Sequence, residues 1–180
     1  MNAALWLLAF QGVLGGFDTL YYHEWRARLP AGGARTRPEL WLHGWRSTIY
    51  AVLFTTLPWL AWRGACAWVL AGLIAVEIVL TGADFAIEVR TREPVGVLAG
   101  ERVTHGLMAI VYGAALACLA PAWLGWRGGP SGFAWQPVPI PAWLRLLLGL
   151  QALGVLASAL RDLLAAQGVL GAAFPWHRAA

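Results

Sequence analysis

Residues 65–88 read ACAWVLAGLIAVEIVLTGADFAIE. The stretch is long enough to cross a hydrocarbon layer as a helix, which takes about 20 residues, yet it contains Glu77, Asp84 and Glu88 and no cation. An ionised side chain deep in a bilayer costs at least ~2.5 kcal/mol on insertion scales, so it persists where it pairs, binds metal or lines a pathway. The apolar length predicts a transmembrane helix. The acids predict that its last turns face other polar helices.

Four more stretches of similar length flank this one, at 3–23, 39–62, 101–124 and 142–163. With 59% hydrophobic and 12% charged residues the chain lies well outside soluble composition. The expected fold is all-α and membrane-integral. Residues 1–124 form an antiparallel four-helix transmembrane bundle, 125–141 an outer loop, and 142–180 a fifth, peripheral transmembrane helix with a cytoplasmic tail. Residues 1–22 read as a retained span rather than a cleaved leader, since MNAALW has no basic start and Asp18 interrupts the distal end.

All thirteen basic residues are arginines. Arg26, Arg28, Arg35 and Arg37 lie in the loop between spans one and two, and Arg90 and Arg92 between three and four. By the positive-inside rule these loops are cytoplasmic, which sets the amino terminus outside and the carboxyl terminus inside. Trp59, Trp62, Trp123, Trp126 and Trp143 then mark the outer boundary and Trp25, Trp41 and Trp176 the inner one. The arginines thus orient the chain and do not form a nucleic-acid surface. Cys66 and Cys118 lack metal-type spacing and read as ordinary thiols.

Seven of nine acids, counting Glu77 deeper in the third span, and three of four histidines cluster toward the inner ends of the first four spans. With about 1.5 Å of rise per residue, Asp18, His43, Asp84 and His105 fall at one depth. Glu39, Glu88 and Glu101, beside His23 and Glu24, lie about one turn nearer the inner boundary. Glu39/His43, Asp84/Glu88 and Glu101/His105 are each four residues apart, a spacing that shares a helix face. Four helices projecting carboxylates and imidazoles inward are the layout of di-metal carboxylate proteins, although their Glu-to-His spacing is three.

Glu39 and Glu101 also open helices, where the macrodipole favours a carboxylate. Asp84 and Glu88 close a helix, where it does not, so they require Arg90, Arg92, Arg102 or a metal. A lone intramembrane histidine usually bonds a neighbouring carboxylate, but His43 and His105 at matching depth point to metal ligation. His23 is an additional ligand candidate, and His177 reads as interfacial. Arg46 and Glu77, deeper than both layers, form an ion pair supporting the site.

The runs GGFDTLYYHEWRARLP, ELWLHGWRSTIY, VEIVLTGADFAIEVRTR and ERVTHGLMAIVYG together resemble an uncharacterised family of small bacterial inner-membrane proteins. In some members this module is fused to epimerase-like domains. The resemblance covers residues 10–125 and implies a bacterial inner-membrane location, with a polar set comprising Asp18, His23, Glu24, His43, Arg46, Glu77, Asp84, Glu88, Glu101 and His105. A further acid expected after Glu88 is Val89 here. The resemblance implies no activity.

The expected function is a membrane-embedded oxidoreductase with two divalent metal ions, iron first, then manganese or zinc, acting on a lipid-soluble substrate. The candidate ligands are Asp18, His23, Glu24, Glu39, His43, Asp84, Glu88, Glu101 and His105. A zinc hydrolase would use the same ligands. The competing expectation is a non-catalytic assembly subunit, alone or with a membrane partner or second copy, whose buried charges are neutralised by Arg26, Arg46, Arg90 and Arg102. A b-type cytochrome on His43 and His105 ranks lower, because haem propionates would meet a field of carboxylates.

Overall fold

In a computed structural model, which describes residues 1–92 and 96–169, the chain is mostly helical. Helix α1 (Asn2–Phe17) continues without a break into a π-helical segment (Asp18–Arg26). It is followed by α2 (Arg37–Thr56), strand β1 (Leu60–Arg63), α3 (Ala65–Thr91), α4 (Ala99–Trp126), strand β2 (Gly132–Trp135) and α5 (Ala142–Ala166). Trp176 and His177 lie outside the described residues.

Four helices are long and apolar enough to cross a membrane: Asn2–Arg26, α3, α4 and α5. The expected second span is different. Its helix ends at Thr56 because Pro58 cannot donate to a further turn, and residues 60–63 pair antiparallel with 132–135, Leu60 opposite Trp135 and Arg63 opposite Gly132. The carbonyls of Pro58 and Trp59 extend this pairing by accepting from Val138 and Gln136. What reads as the last turns of a span and the loop at 125–141 therefore join as a two-stranded sheet at one end of the molecule. Gly64 makes the turn into α3 with φ 55°, where a Cβ would lie 2.7 Å from the Ser131 backbone.

Helix α2 carries Arg37, Glu39, His43 and Arg46 in its first half, too polar to face lipid. It is packed between α5 and α3, while α1 packs on α4 and α5. The contact with α5 corrects the expectation of a peripheral fifth helix. Small residues on α2 admit α5 closely: a Cβ on Gly44 would come within 2.6 Å of Leu163 Cγ. On α1, Gly12 faces Gln151 in the same way, and Gln151 Nε2 donates to the Ala9 carbonyl at 2.8 Å.

The apolar core lies toward the sheet end, around Leu5, Leu8, Leu53, Phe54, Leu57, Leu70, Leu144 and Leu148. Tryptophans close that end: Trp123 donates to the Ala67 carbonyl at 2.8 Å and meets Trp68 edge-on, and Trp59 stacks on Trp135. The opposite end holds Asp18, His23, His43, Asp84, Glu88, Glu101 and His105.

Candidate metal centre

The π-helical segment decides the first part of the site. Asp18 and His23 are five residues apart, about 140° around an ordinary α-helix. The wider i→i+5 winding, visible where Ala27 N–H bonds the Tyr22 carbonyl at 2.8 Å, brings them onto one face. His23 Nε2 then lies 3.2 Å from Asp18 Oδ2. His23, only a supplementary candidate from sequence, is central: its ring stacks on His43 at 4.4 Å, and its Nε2 lies 3.5 Å from Glu101 Oε1.

Around these rings the expected depth-matched layer is present. His43 Nε2 lies 3.0 Å from Asp84 Oδ2, and His105 Nε2 lies 3.3 Å from Asp18 Oδ2. Nearer the polar end, Glu88 Oε1 stands 3.6 Å from His105 Nδ1. Three sets of potential ligands have donor atoms within 4.8 Å of one another: Asp18/His23/His105, Glu39/His43/Asp84 and Glu88/Glu101/His105. The first and third share His105, and the second is linked to the first by the His23–His43 stack.

Arginines reach the cluster from two sides. Arg46 Nη1 donates to Asp84 Oδ2 at 2.6 Å and its Nε lies 3.7 Å from Glu77 Oε1, the expected deep ion pair extended to a ligand. Thr81 also donates to Glu77, at 2.8 Å. Arg92 is clamped between Glu39 and Glu101, and Thr91 donates to the second Glu39 oxygen at 2.9 Å. Burial works against the Arg92 charge. Hydrogen bonds and the charges of Glu39 and Glu101 outweigh burial and raise its pKa above the ordinary arginine value.

The structure departs from the sequence reading in its pairings. Arg92 serves Glu39 and Glu101 rather than Asp84 and Glu88, so Glu39 is the most completely bonded of the expected ligands. Glu24 turns to Arg161 on α5, which also bonds Asp162 at 2.9 Å, and is in none of the three ligand sets. Of Arg26, Arg46, Arg90 and Arg102, Arg46 is the one seen in contact with the cluster among the described residues; Arg92 and Arg161 also pair with its acids. The tie between α1 and α5 was missed because no local spacing joins residues 24 and 161.

Six buried carboxylates, Asp18, Glu39, Glu77, Asp84, Glu88 and Glu101, meet two guanidiniums, Arg46 and Arg92, an excess of four negative charges. That excess holds with the three imidazoles neutral, as metal ligation requires; protonating both His23 and His43 would set two cations face to face, so at most two of the three can share the neutralisation. Five of the carboxylates also keep an oxygen without a hydrogen-bond donor: Glu77 Oε2 in the deeper layer, and Asp18 Oδ1, Asp84 Oδ1, Glu88 Oε2 and Glu101 Oε2 among the candidate ligands. Buried lone pairs left this way are costly.

Comparison of the chain with protein-family models, curated proteins and solved structures finds no match. Its chemistry is therefore argued from these side chains.

Proposed function

We propose that this chain is a multi-pass protein of the bacterial inner membrane that holds two divalent metal ions at its polar end and works as an oxidoreductase on a lipid-soluble substrate. The observation that carries this reading is the pairing of excess charge with unsatisfied lone pairs. Two divalent ions would balance four negative charges, and the donorless oxygens of Asp18, Asp84, Glu88 and Glu101 would gain the partner they lack. His23, His43 and His105 complete a carboxylate-imidazole donor set of the kind that suits iron or manganese, with zinc next. Such ions supply redox or Lewis-acid chemistry when bound. Glu39, held by Arg92 and Thr91, contributes more to positioning than to ligation.

The membrane assignment rests on exposed apolar surface. The most apolar windows of the four long helices are only 17% to 33% buried within the chain, and Phe10, Trp68, Val79, Ile110, Leu146 and Leu153 stand outward. A surface this apolar calls for a bilayer. In that setting Asn2–Arg26, α3, α4 and α5 cross the bilayer, α2 is shielded between α3 and α5, and the arginine-rich polar end faces the cytoplasm.

A second reading, an ion-pair lattice that fixes helix register in an assembly subunit, is favoured by the Arg92 clamp. The two readings differ in metal content. Elemental analysis of protein purified in detergent is expected to find about two equivalents of iron, manganese or zinc, by the charge balance above. His43→Ala is expected to lose metal while still inserting, because insertion follows the apolar helices. Wild-type metal content in that variant, or a metal-free wild type that remains stable, overturns the metal reading in favour of the lattice.

A further inference from the structure

Gln11, Tyr50, Glu77 and Tyr112 each lie seven residues from Asp18, His43, Asp84 and His105, in every case on the side away from the polar end. Seven residues are two helical turns, about 10.5 Å along the axis and nearly the same face. The four helices thus carry a second polar layer in register with the first. Gln11 Nε2 donates to Tyr50 Oη at 3.4 Å, the Tyr50 and Tyr112 rings lie 5.6 Å apart, and Arg46 spans the layers from Asp84 to Glu77. Although Gln11, Glu77 and Tyr112 are all more than nine-tenths buried, Gln11 Oε1, Glu77 Oε2 and Tyr112 Oη have no hydrogen-bond partner.

These groups line a cavity of about 260 Å³ whose other end touches Asp18 and His105 of the candidate metal centre. Its walls are apolar, with Phe85, Met108 and Leu116. Helices α3 and α4 are clasped at one end by Trp68 and Trp123 and at the other by Phe85 stacked on His105 at 5.2 Å. Between the clasps, exposed Ile78, Ala109 and Gly113 edge the cavity, and a Cβ on Gly113 would meet nothing within 4 Å. The opening faces sideways, where the apolar surface meets lipid.

Size and charge select the occupant. A dry cavity of about 150 Å³ holds benzene, so this one takes a substituted six-membered ring but not a two-chain lipid. Glu77 and Asp18 repel an anionic head group, and Arg46, the arginine on the cavity wall, is already engaged by Asp84 and Glu77. A neutral ring bearing oxygens fits, because two phenols and an amide can donate to or accept from carbonyl and hydroxyl groups. We propose that this cavity binds the ring of a lipid-soluble quinone or quinol, entering from the bilayer between α3 and α4. The proposal rests on the metal reading for its chemistry, since it names the lipid-soluble substrate of that centre, but its binding step can be measured separately.

The test titrates a benzoquinone with a ten-carbon tail into the full chain in lipid nanodiscs by calorimetry, with metal content and melting temperature measured on the same samples. Saturable one-to-one binding is expected. Gly113→Trp should abolish it with an unchanged melting temperature, because Gly113 edges the cavity and a Cβ there meets nothing within 4 Å. Tyr112→Phe should weaken it about tenfold, the loss of one buried hydrogen bond. Heat no greater than from empty nanodiscs, wild-type binding by Gly113→Trp, or equal competition by geranylgeraniol or phosphatidylglycerol overturns the proposal. A metal-loaded chain that binds no quinone ends this inference alone, and a metal-free chain that binds it ends the metal reading alone.

Discussion

Arg92 shows how much one side chain decides at the polar end. It occupies the space between Glu39 and Glu101, which are fully buried, and it joins the start of α2 to the start of α4. Removing one partner of a buried ion pair strands the other charges, at a cost of about 3–5 kcal/mol. Arg92→Met is therefore expected to lower unfolding stability in detergent by that amount, and adding Glu39→Gln and Glu101→Gln to recover most of it. A melting temperature unmoved by Arg92→Met would show that the clamp is not a structural tie. The residues of the first polar layer were legible because an i, i+4 spacing is a local property of the helix. The partner of each carboxylate was not: Arg90, Arg92 and Arg102 are equivalent in sequence, and only the path of the chain after Thr91 brings Arg92 to Glu39.

At the scale of the element, the π-helical segment and the α2–α5 contact carry the most. The segment costs the regular α-helical bonds of two turns, and in return it aligns Asp18 with His23. Inserting an alanine after Leu20, an exposed residue within it, sets Asp18 and His23 six residues apart and is expected to rotate His23 away from Asp18 and His43. Metal content should fall, with helicity by circular dichroism unchanged; full metal occupancy in the insertion variant would mean that the Asp18–His23 alignment is dispensable. Gly44→Leu should separate α2 from α5 and destabilise the protein by about 1–3 kcal/mol, the usual cost of overpacking. Gly149→Leu, on the same helix pair but with open space at its Cβ, serves as the control and should change little. Neither device was visible beforehand, since π winding follows from how side chains are satisfied across helices and Gly44 reads like any other helical glycine.

For the whole molecule, the positive-inside rule predicts an orientation from the two arginine-rich loops at the polar end. In a background with Cys66 and Cys118 replaced by serine, cysteines at the exposed positions Ala34 and Gly128 report the two ends. An impermeant maleimide applied to intact cells should label Gly128→Cys and leave Ala34→Cys unmodified until the cells are opened. The reverse pattern would place the candidate metal centre on the outer side.

The sequence by itself determined the helical class, four of the five expected membrane-length segments, and a common depth for Asp18, His43, Asp84 and His105. Each of these depends on composition or on rise per residue along a single helix, quantities that need no neighbour. The sheet of residues 60–63 with 132–135, the engaged position of α5, the central place of His23 and the Arg92 and Arg161 pairings were decided only in the tertiary structure. These depend on which helices lie side by side, and buried charges take whichever partner that packing brings within reach, because leaving one unpaired costs more than any local preference along the chain.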